Sequence, residues 1–440
     1  MKYKVCITAA GIGSRIASIS NINKALLPIN QQSVISKIIN KFPKKIEIII
    51  AVGYQKKKII DFIKIAHSER NIKFVDVKNF NKSGSGPGFS LLQCKKLLNC
   101  PFIFIACDTL VEEKIPKPSK NWIGISTVND PEPYLVVEKN NQNFVSFFFD
   151  KKSKNFLHWS GYKNYDCLCF IGLAGVKDHK LFWNSLEQNK KLNEGELQVL
   201  NGLDGLIIKK IKCIDFHWFD TGNELNYIKT LNYFKSNKVL PKPDEFFYKE
   251  KNIVIKYFKS SNRAYKRKKR SVFFKNSITK LINSGENFLS YKYEKGELLS
   301  DINDDKIFNN FLNYMNSNFW NTKYINKKII FDVKKACNYF YKDKTFLRIN
   351  KYLKRASISD KQNIINSVKV PKIYNLLDRI NWEDFCDPKP VIFHGDLQPE
   401  NIIVKKNKFI LLDWREDFGK LLKYGDIYYD LGKMHHALII

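Results

Sequence analysis

The sequence predicts an α/β protein in two parts: a domain with a mixed, mostly parallel sheet, then an α+β domain. Three observations support this. The chain has 440 residues. Apolar runs of strand length alternate with helical stretches through the first half. That alternation breaks at Lys235-Ser236-Asn237-Lys238, with Pro241 and Pro243 close behind. A chain of this length exceeds one compact domain, and an apolar fraction of 44% supplies more than one core. The boundary is therefore set between residues 236 and 237, giving domains 1–236 and 237–440.

The elements follow in order. Residues 5–9, 46–52 and 102–106 read as strands, and 35–41 and 58–65 as the helical stretches between them, the pattern of a parallel sheet with crossover helices. Past the boundary, 245–248 and 253–258 are strand-like, a basic helical stretch follows, and 304–377 is mostly helical. Two short strands, 391–393 and 409–412, flank a loop at His394. An apolar helix at 431–440 stops in mid-pattern, so the second domain reads as C-terminally incomplete. No internal repeat or low-complexity tract is evident.

Composition narrows the class. Lys and Arg number 75 against 43 acids, a formal charge of +32. The lysines are spread along the chain among Asn and Ile, which reads as compositional bias on solvated faces, not nucleic-acid binding. Lys266-Arg267-Lys268-Lys269-Arg270 is the one dense run. Nine cysteines have no repeated spacing, and the Cys167/Cys169 pair lacks a second pair to complete a metal site. The expectation is a reduced, cytoplasmic protein without membrane insertion: no signal peptide precedes the strand at Val5, and residues 46–52 are too short to span a bilayer.

Ala9-Ala10-Gly11-Ile12-Gly13-Ser14-Arg15 follows the first strand directly. Glycines there let backbone N–H groups approach a phosphate, with Arg15 and Lys24 supplying cations. The loop, the Lys24-Ala25-Leu26-Leu27-Pro28 segment, Asp108 after a central strand, and Asp220 in Trp218-Phe219-Asp220-Thr221-Gly222 together resemble the sugar-phosphate nucleotidyltransferases and phosphocholine cytidylyltransferases over residues 1 to 230. The resemblance implies a Rossmann-like, GT-A-like domain with Ala10, Gly11, Gly13 and Ser14 on the nucleotide, Arg15 and Lys24 catalytic, and Asp108 and Asp220 holding Mg²⁺. Two carboxylates on a hard cation suit attack at an α-phosphate. Gly84-Ser85-Gly86-Pro87-Gly88 takes the place of the family's base-binding loop, without its Gln. Lys151 and Glu196 resemble acceptor-binding residues.

In the second half, His394-x-Asp396-x-x-x-x-Asn401 precedes Asp413 at the end of an apolar strand. In this constellation Asp396 takes the proton of an attacking hydroxyl, and Asn401 and Asp413 bind Mg²⁺ bridging ATP phosphates. His394 buttresses the loop. With Leu412-Asp413-Trp414-Arg415-Glu416 and the Tyr291-x-x-x-x-Gly296-Glu297 segment, residues 245 to 440 resemble the choline kinases and aminoglycoside phosphotransferases, which implies a protein-kinase-like fold. Lys256 is the candidate phosphate lysine, although no Gly-rich loop precedes it and no partner Glu stands in the next helix.

Together the resemblances imply a bifunctional enzyme of CDP-alcohol or capsule and other surface glycan synthesis. ATP phosphorylates a small alcohol or sugar, and the phosphomonoester then attacks a nucleoside triphosphate, with CTP favoured over UTP or GTP. An aromatic and acidic cage for a choline-like alcohol has candidates in Trp414, Glu416, Asp417, Tyr428, Tyr429 and Asp430. The alternative is a sugar-1-phosphate nucleotidyltransferase with a degenerate, regulatory or binding kinase-like domain. The oligomeric state is left open.

Overall fold

The computed structural model describes residues 2–16, 22–149, 167–235, 244–323, 325–406 and 408–439. By internal contacts the chain divides into Met1–Lys259 with Gly285–Phe288, and Ser260–Ser284 with Leu289–Ile440. The expected boundary at 236/237 lies outside the described residues, and the strand pair near 245–258 falls in the first unit.

The first unit is built on β1 (Lys4–Ala9), α1 (Val34–Asn40), β2 (Ile48–Val52), α2 (Lys56–Ala66), β3 (Ile72–Asp76), α3 (Pro87–Gln93) and β4 (Phe102–Ala106). It continues with β5 (Trp122–Val128), β6 (Leu135–Lys139), β7 (Val145–Phe149), β8 (Cys167–Val176), α4 (His179–Gln188), β9 (Lys212–Asp215) and α5 (Glu224–Tyr233). One nine-stranded sheet runs β7-β6-β8-β4-β1-β2-β3, with β5 pairing β8 and β9. The β4-β1-β2-β3 segment is parallel, and β8 joins it antiparallel. β1 and β2 are buried almost throughout, which is why their sequences are continuous apolar runs without alternation. Ser33 caps α1, its hydroxyl accepting from Ser36 N at 3.0 Å, and Asn223 caps α5 by accepting from Asn226 N at 2.9 Å.

This unit also contains the antiparallel hairpin β10 (Glu245–Glu250) and β11 (Ile253–Phe258). Its inward residues Phe246, Tyr248, Ile255 and Tyr257 belong to the same core as Phe62 and Val5. The Tyr248 ring lies 4.7 Å from that of Phe62, and its hydroxyl donates to Leu26 O in the turn that carries Lys24.

The second unit opens with α6 (Ser261–Arg270) and β12 (Leu281–Ser284), which pairs with β13 (Phe288–Lys292), a strand that belongs to this unit from Leu289 on. Helices α7 (Asp305–Asn318), α8 (Lys327–Cys337) and α9 (Lys344–Ala356) follow, with a π turn, Asn338–Asp343, joining the last two. The helical run expected over 304–377 is interrupted by a small hairpin, Asn363–Ile365 with Val368–Val370. Asn366 and Ser367 between them both have positive φ, 50° and 64°, the geometry of a tight two-residue hairpin turn. β14 (Pro390–Ile392) and β16 (Lys408–Leu411) each sit one residue before the expected strands. β16 pairs with β15 (Ile402–Lys405), and β14 with β17 (Tyr424–Asp426), which leads into α10 (Ile427–Ile439). Among the described residues no helix is long and apolar enough to cross a membrane.

Candidate active sites

In the first unit the chain leaves β1 buried and turns at Ala10. A Cβ on Gly11 would meet no atom within 4 Å, so its backbone faces open space, while Gly13 has φ +69°. Asn23 fixes the loop from behind: its Nδ2 donates to Tyr54 O at 3.1 Å and Gly11 O at 3.5 Å, and its Oδ1 accepts from Ala25 N at 3.0 Å. Tyr54 N donates to Ala10 O at 2.9 Å, and Gly53 must be glycine because its Cβ would come within 2.7 Å of that oxygen.

The Asn23-capped turn presents Lys24, whose ammonium lies 2.5 Å from Asp108 Oδ2. Asp108 leaves the end of β4, and a short ribbon pairs Thr109–Val111 with Trp218–Asp220, placing Asp220 opposite Thr109. Thr221 N and Oγ1 donate to Asp108 O at 2.9 and 3.2 Å, which ties the two acidic turns together. Asp220 Oδ1 accepts from Gly222 N at 2.7 Å, and Oδ2 from Tyr134 OH at 2.8 Å and Asn226 Nδ2 at 3.0 Å. A Cβ on Gly222 would stand 2.8 Å from Asp108 Oδ2 and 2.9 Å from Asp220 Oδ1, so the carboxylates converge on one point.

Arg15, Asp108, Tyr134, Gln198 and Asp220 line one cleft of about 180 Å³. Burial alone would raise the Asp108 carboxyl, but the Lys24 ammonium outweighs it and holds it below the usual range. In turn burial opposes the Lys24 charge, and Asp108 prevails in raising it. Tyr134 is raised by burial and by the Asp220 carboxylate it donates to. Among the described residues no group of three or more His, Cys, Asp or Glu forms a metal cluster. Two converging carboxylates nevertheless suit Mg²⁺, which keeps waters and takes phosphate oxygens for its remaining ligands.

Gly84 N donates to Gly195 O and Leu197 N to Ser85 O, both at 2.7 Å, so the glycine loop is laced to the segment carrying Glu196. Gly86 has φ +122°, and a Cβ there would come 2.8 Å from Leu197 O. Glu196 itself is exposed and accepts from Gln198 Nε2 at 3.1 Å. Gln198, which no sequence motif singled out, lines the cleft. Lys151 and its neighbour Asp150 lie outside the described residues.

In the second unit His394 is fully buried. Backbone N–H groups of His394 and Gly395 donate to the two Asp430 carboxylate oxygens at 2.8 and 2.6 Å, and His394 Nδ1 accepts from Asp396 N at 3.3 Å. Asn401 Nδ2 donates to Asp396 O at 2.9 Å, and Leu412 N to Asn401 O at 2.8 Å, bringing Asp396, Asn401 and Asp413 into one loop cluster. Asp413 has φ +55°, a left-handed conformation that Asp adopts more readily than bulky residues. Its carboxylate pairs with Arg267 of α6, and Asp396 with Lys433 of α10 at 2.9 Å.

Arg270 is the residue the sequence concealed. Fully buried, it donates to Phe393 O, His394 O, Arg415 O and Leu422 O, with its guanidinium 4.0 Å from the Phe393 ring centroid. Burial brings it down to about 9. The dense basic run is therefore split, with Arg267 and Arg270 buried, Lys266 pairing with Asp417 at 2.5 Å, and Lys268 and Lys269 exposed.

Lys433 also lines a cavity of about 630 Å³ with Tyr341, Phe385, Tyr428 and Tyr429 and the acids Asp384, Asp387 and Asp426. Of the cage candidates, Tyr428 and Tyr429 are there. Trp414 and Asp430 are instead buried in the core, and Glu416 and Asp417 pair with Arg263 and Lys266. Lys256 belongs to the first unit, where its ammonium pairs with Glu245 at 2.5 Å.

Residues 346–439 match the phosphotransferase enzyme family. The N-terminal half is similar to the bifunctional protein GlmU of Methanococcus vannielii, 26% identical over 54% of this chain and 56% of that protein. The corresponding Methanococcus maripaludis protein is 26% identical over 54% and 55%. The chain thus spans about half the length of the curated relatives it matches. Solved structures similar to it include the CTP:phosphocholine cytidylyltransferase of Streptococcus pneumoniae, with TM-score 0.44, 17% identity, and 53% of this chain and 99% of that chain covered. A UDP-glucose pyrophosphorylase complexed with UDP-glucose gives TM-score 0.44, 20% identity, and 54% and 100% coverage. The chain joins an N-terminal unit of nucleotidyltransferase type to a C-terminal unit whose residues 346–439 match the phosphotransferase enzyme family.

Proposed function

We propose that the chain is a cytoplasmic bifunctional enzyme that phosphorylates a small amino alcohol with ATP and then converts the phosphomonoester to a CDP-alcohol with CTP, supplying surface glycan synthesis. The observation behind the choice of alcohol is the acid- and aromatic-lined cavity beside Lys433, the cation that pairs with Asp396. Tyrosine faces and carboxylates suit a cationic ammonium group better than a neutral sugar.

At the C-terminal site Asp396 accepts the proton of the acceptor hydroxyl as its oxygen attacks the γ-phosphorus of ATP. The bond to ADP breaks and ADP leaves. Asn401 and Asp413 would hold Mg²⁺, and Asp430 and Arg270 keep the loop in place. At the N-terminal site the N–H groups from Gly11 to Ser14, with Arg15 and Lys24, orient the triphosphate. A phosphomonoester oxygen attacks the α-phosphorus, and pyrophosphate leaves. Mg²⁺ at Asp108 and Asp220 supplies charge neutralisation at the α-phosphate when bound.

Acceptor choice is tested by comparing choline, ethanolamine and neutral hexoses with ATP. The amino alcohols should have the higher kcat/KM, and Asp387→Asn should raise their KM with little change in the KM for ATP. A hexose preferred over both amines would refute the cationic acceptor. A second reading, a degenerate kinase-like unit, is favoured by the Arg267–Asp413 pair, since a guanidinium then sits on the expected metal ligand. It predicts ATP binding without ADP formation with any acceptor.

A further inference from the structure

A second cavity, of about 330 Å³, lies in the C-terminal unit and shares Tyr341, Phe385 and Tyr429 with the acid-lined one. Its chemistry is the opposite. Lys344 and Arg348 from α9 and Arg415 from the segment after Asp413 face it, and among the described residues no acid lines it. Phe340 and Trp382 supply much of the remaining wall.

Lys344 and Arg348 stand four apart on one helix face, an arrangement of like charges that destabilises a helix. Aromatic faces compensate part of the charge. The Lys344 ammonium and Arg415 guanidinium lie 4.3 and 4.8 Å from the Phe340 ring centroid. Arg415 Nη1 donates to Tyr429 OH at 3.2 Å, but its Nε is buried without a hydrogen-bond acceptor. The neighbouring acids are engaged elsewhere, Glu416 with Arg263 at 3.3 Å and Asp417 with Lys266 at 2.5 Å. Burial first, then Arg415 and Arg348, bring the Lys344 ammonium down to about 8 against the weaker pull of Glu416 and Asp417. The cavity therefore gathers three cations, none of them in an ion pair among the described residues and held only by the weaker pull of Glu416 and Asp417, and a buried donor without an acceptor is costly.

We propose that this cavity is a binding site for a phosphate-bearing small molecule. A dianionic phosphate has oxygens enough for the three cations, which a monoanionic carboxylate would satisfy only in part. An apolar or planar body attached to the phosphate would rest on Trp382 and Phe340. The site does not depend on either catalytic assignment, because none of its cations has a catalytic role in the proposed reactions.

The intact chain is titrated with inorganic pyrophosphate and, separately, with acetate at constant ionic strength, so that screening does not differ between the arms. Tryptophan fluorescence is read, and the share from Trp382 is the share that Trp382→Phe removes. A saturable pyrophosphate response from Trp382 is expected, weakened at least about tenfold in Lys344→Gln/Arg348→Gln, with acetate far weaker. Arg348→Gln alone, at an exposed position that tolerates the change, should weaken it about threefold and keeps the test valid if the double variant folds poorly. Absence of a saturable response, a response untouched by Trp382→Phe or by both charge variants, or acetate binding as well as pyrophosphate would each overturn the proposal.

Discussion

Single residues set both the electrostatics and the spacing of the two sites. Burial holds the His394 imidazole at about 4, down from 6.5, and pushes the Asp430 carboxyl up to about 6, from 3.8. Between those values for His394 the unfolded chain binds a proton that the native state excludes, so its contribution to stability is present above pH 6.5 and lost as pH falls. Asp430 has the opposite sign, because the native state keeps a proton that the unfolded chain has lost, a contribution that disappears as pH rises through about 6. Each amounts to about 3 kcal/mol over its full span. Urea unfolding of the C-terminal unit at about pH 7 and about pH 5 should show a flatter pH dependence in His394→Gln and a steeper acid loss in Asp430→Asn. In the other unit, Gly222→Ala would push a methyl group against both Asp108 and Asp220. Pyrophosphate release in that variant should fall about 10- to 100-fold, with near-native circular dichroism.

At the scale of elements, α6 is the least ordinary part of the chain. Its apparent surface charge is a stripe at positions 263, 266, 267 and 270, and that spacing of three and four is what brings Arg263, Lys266, Arg267 and Arg270 onto the face packed against the Asp413 segment. Arg270→Lys should destabilise the C-terminal unit by about 3 kcal/mol or more, since one ammonium cannot serve carbonyls spread around a planar fork and those left are buried. Lys269→Gln, outside that stripe, should change stability by less than about 0.5 kcal/mol, and denaturant midpoints separate the two outcomes. The stripe was available in the sequence, but a run of five bases looks like a solvated face until the acceptors of Arg270, all at least 120 positions away, are known. The loop after β1 and the His394-Asp396-Asn401 segment were legible for the contrary reason, since the residues that make each candidate motif lie close together in sequence. Asn23 and Gln198 were not, because Asn and Gln are common in caps and loops and neither belongs to a motif; Asp430 was read as a cage acid because the backbone donors it serves lie 36 and 35 positions upstream. The hairpin at 363–370 was missed because Asn366-Ser367 is a weaker turn signal than a glycine pair.

For the whole molecule, the net charge of +32 is spread over a chain that handles polyanions at two proposed catalytic sites. In the proposed scheme the phosphotransferase unit makes the phosphomonoester that the nucleotidyltransferase unit consumes, and the order of the two reactions follows from that chemistry. The most direct measurement supplies free alcohol, ATP and CTP to the intact chain and follows the phosphomonoester, pyrophosphate and CDP-alcohol together. Asp396→Asn should make no product from the free alcohol yet convert added phosphomonoester at the wild-type rate, while Asp108→Asn should accumulate phosphomonoester and release no pyrophosphate. Conversion of the free alcohol by Asp396→Asn at the wild-type rate, or pyrophosphate release undiminished in Asp108→Asn, would contradict a two-step enzyme with one step in each unit.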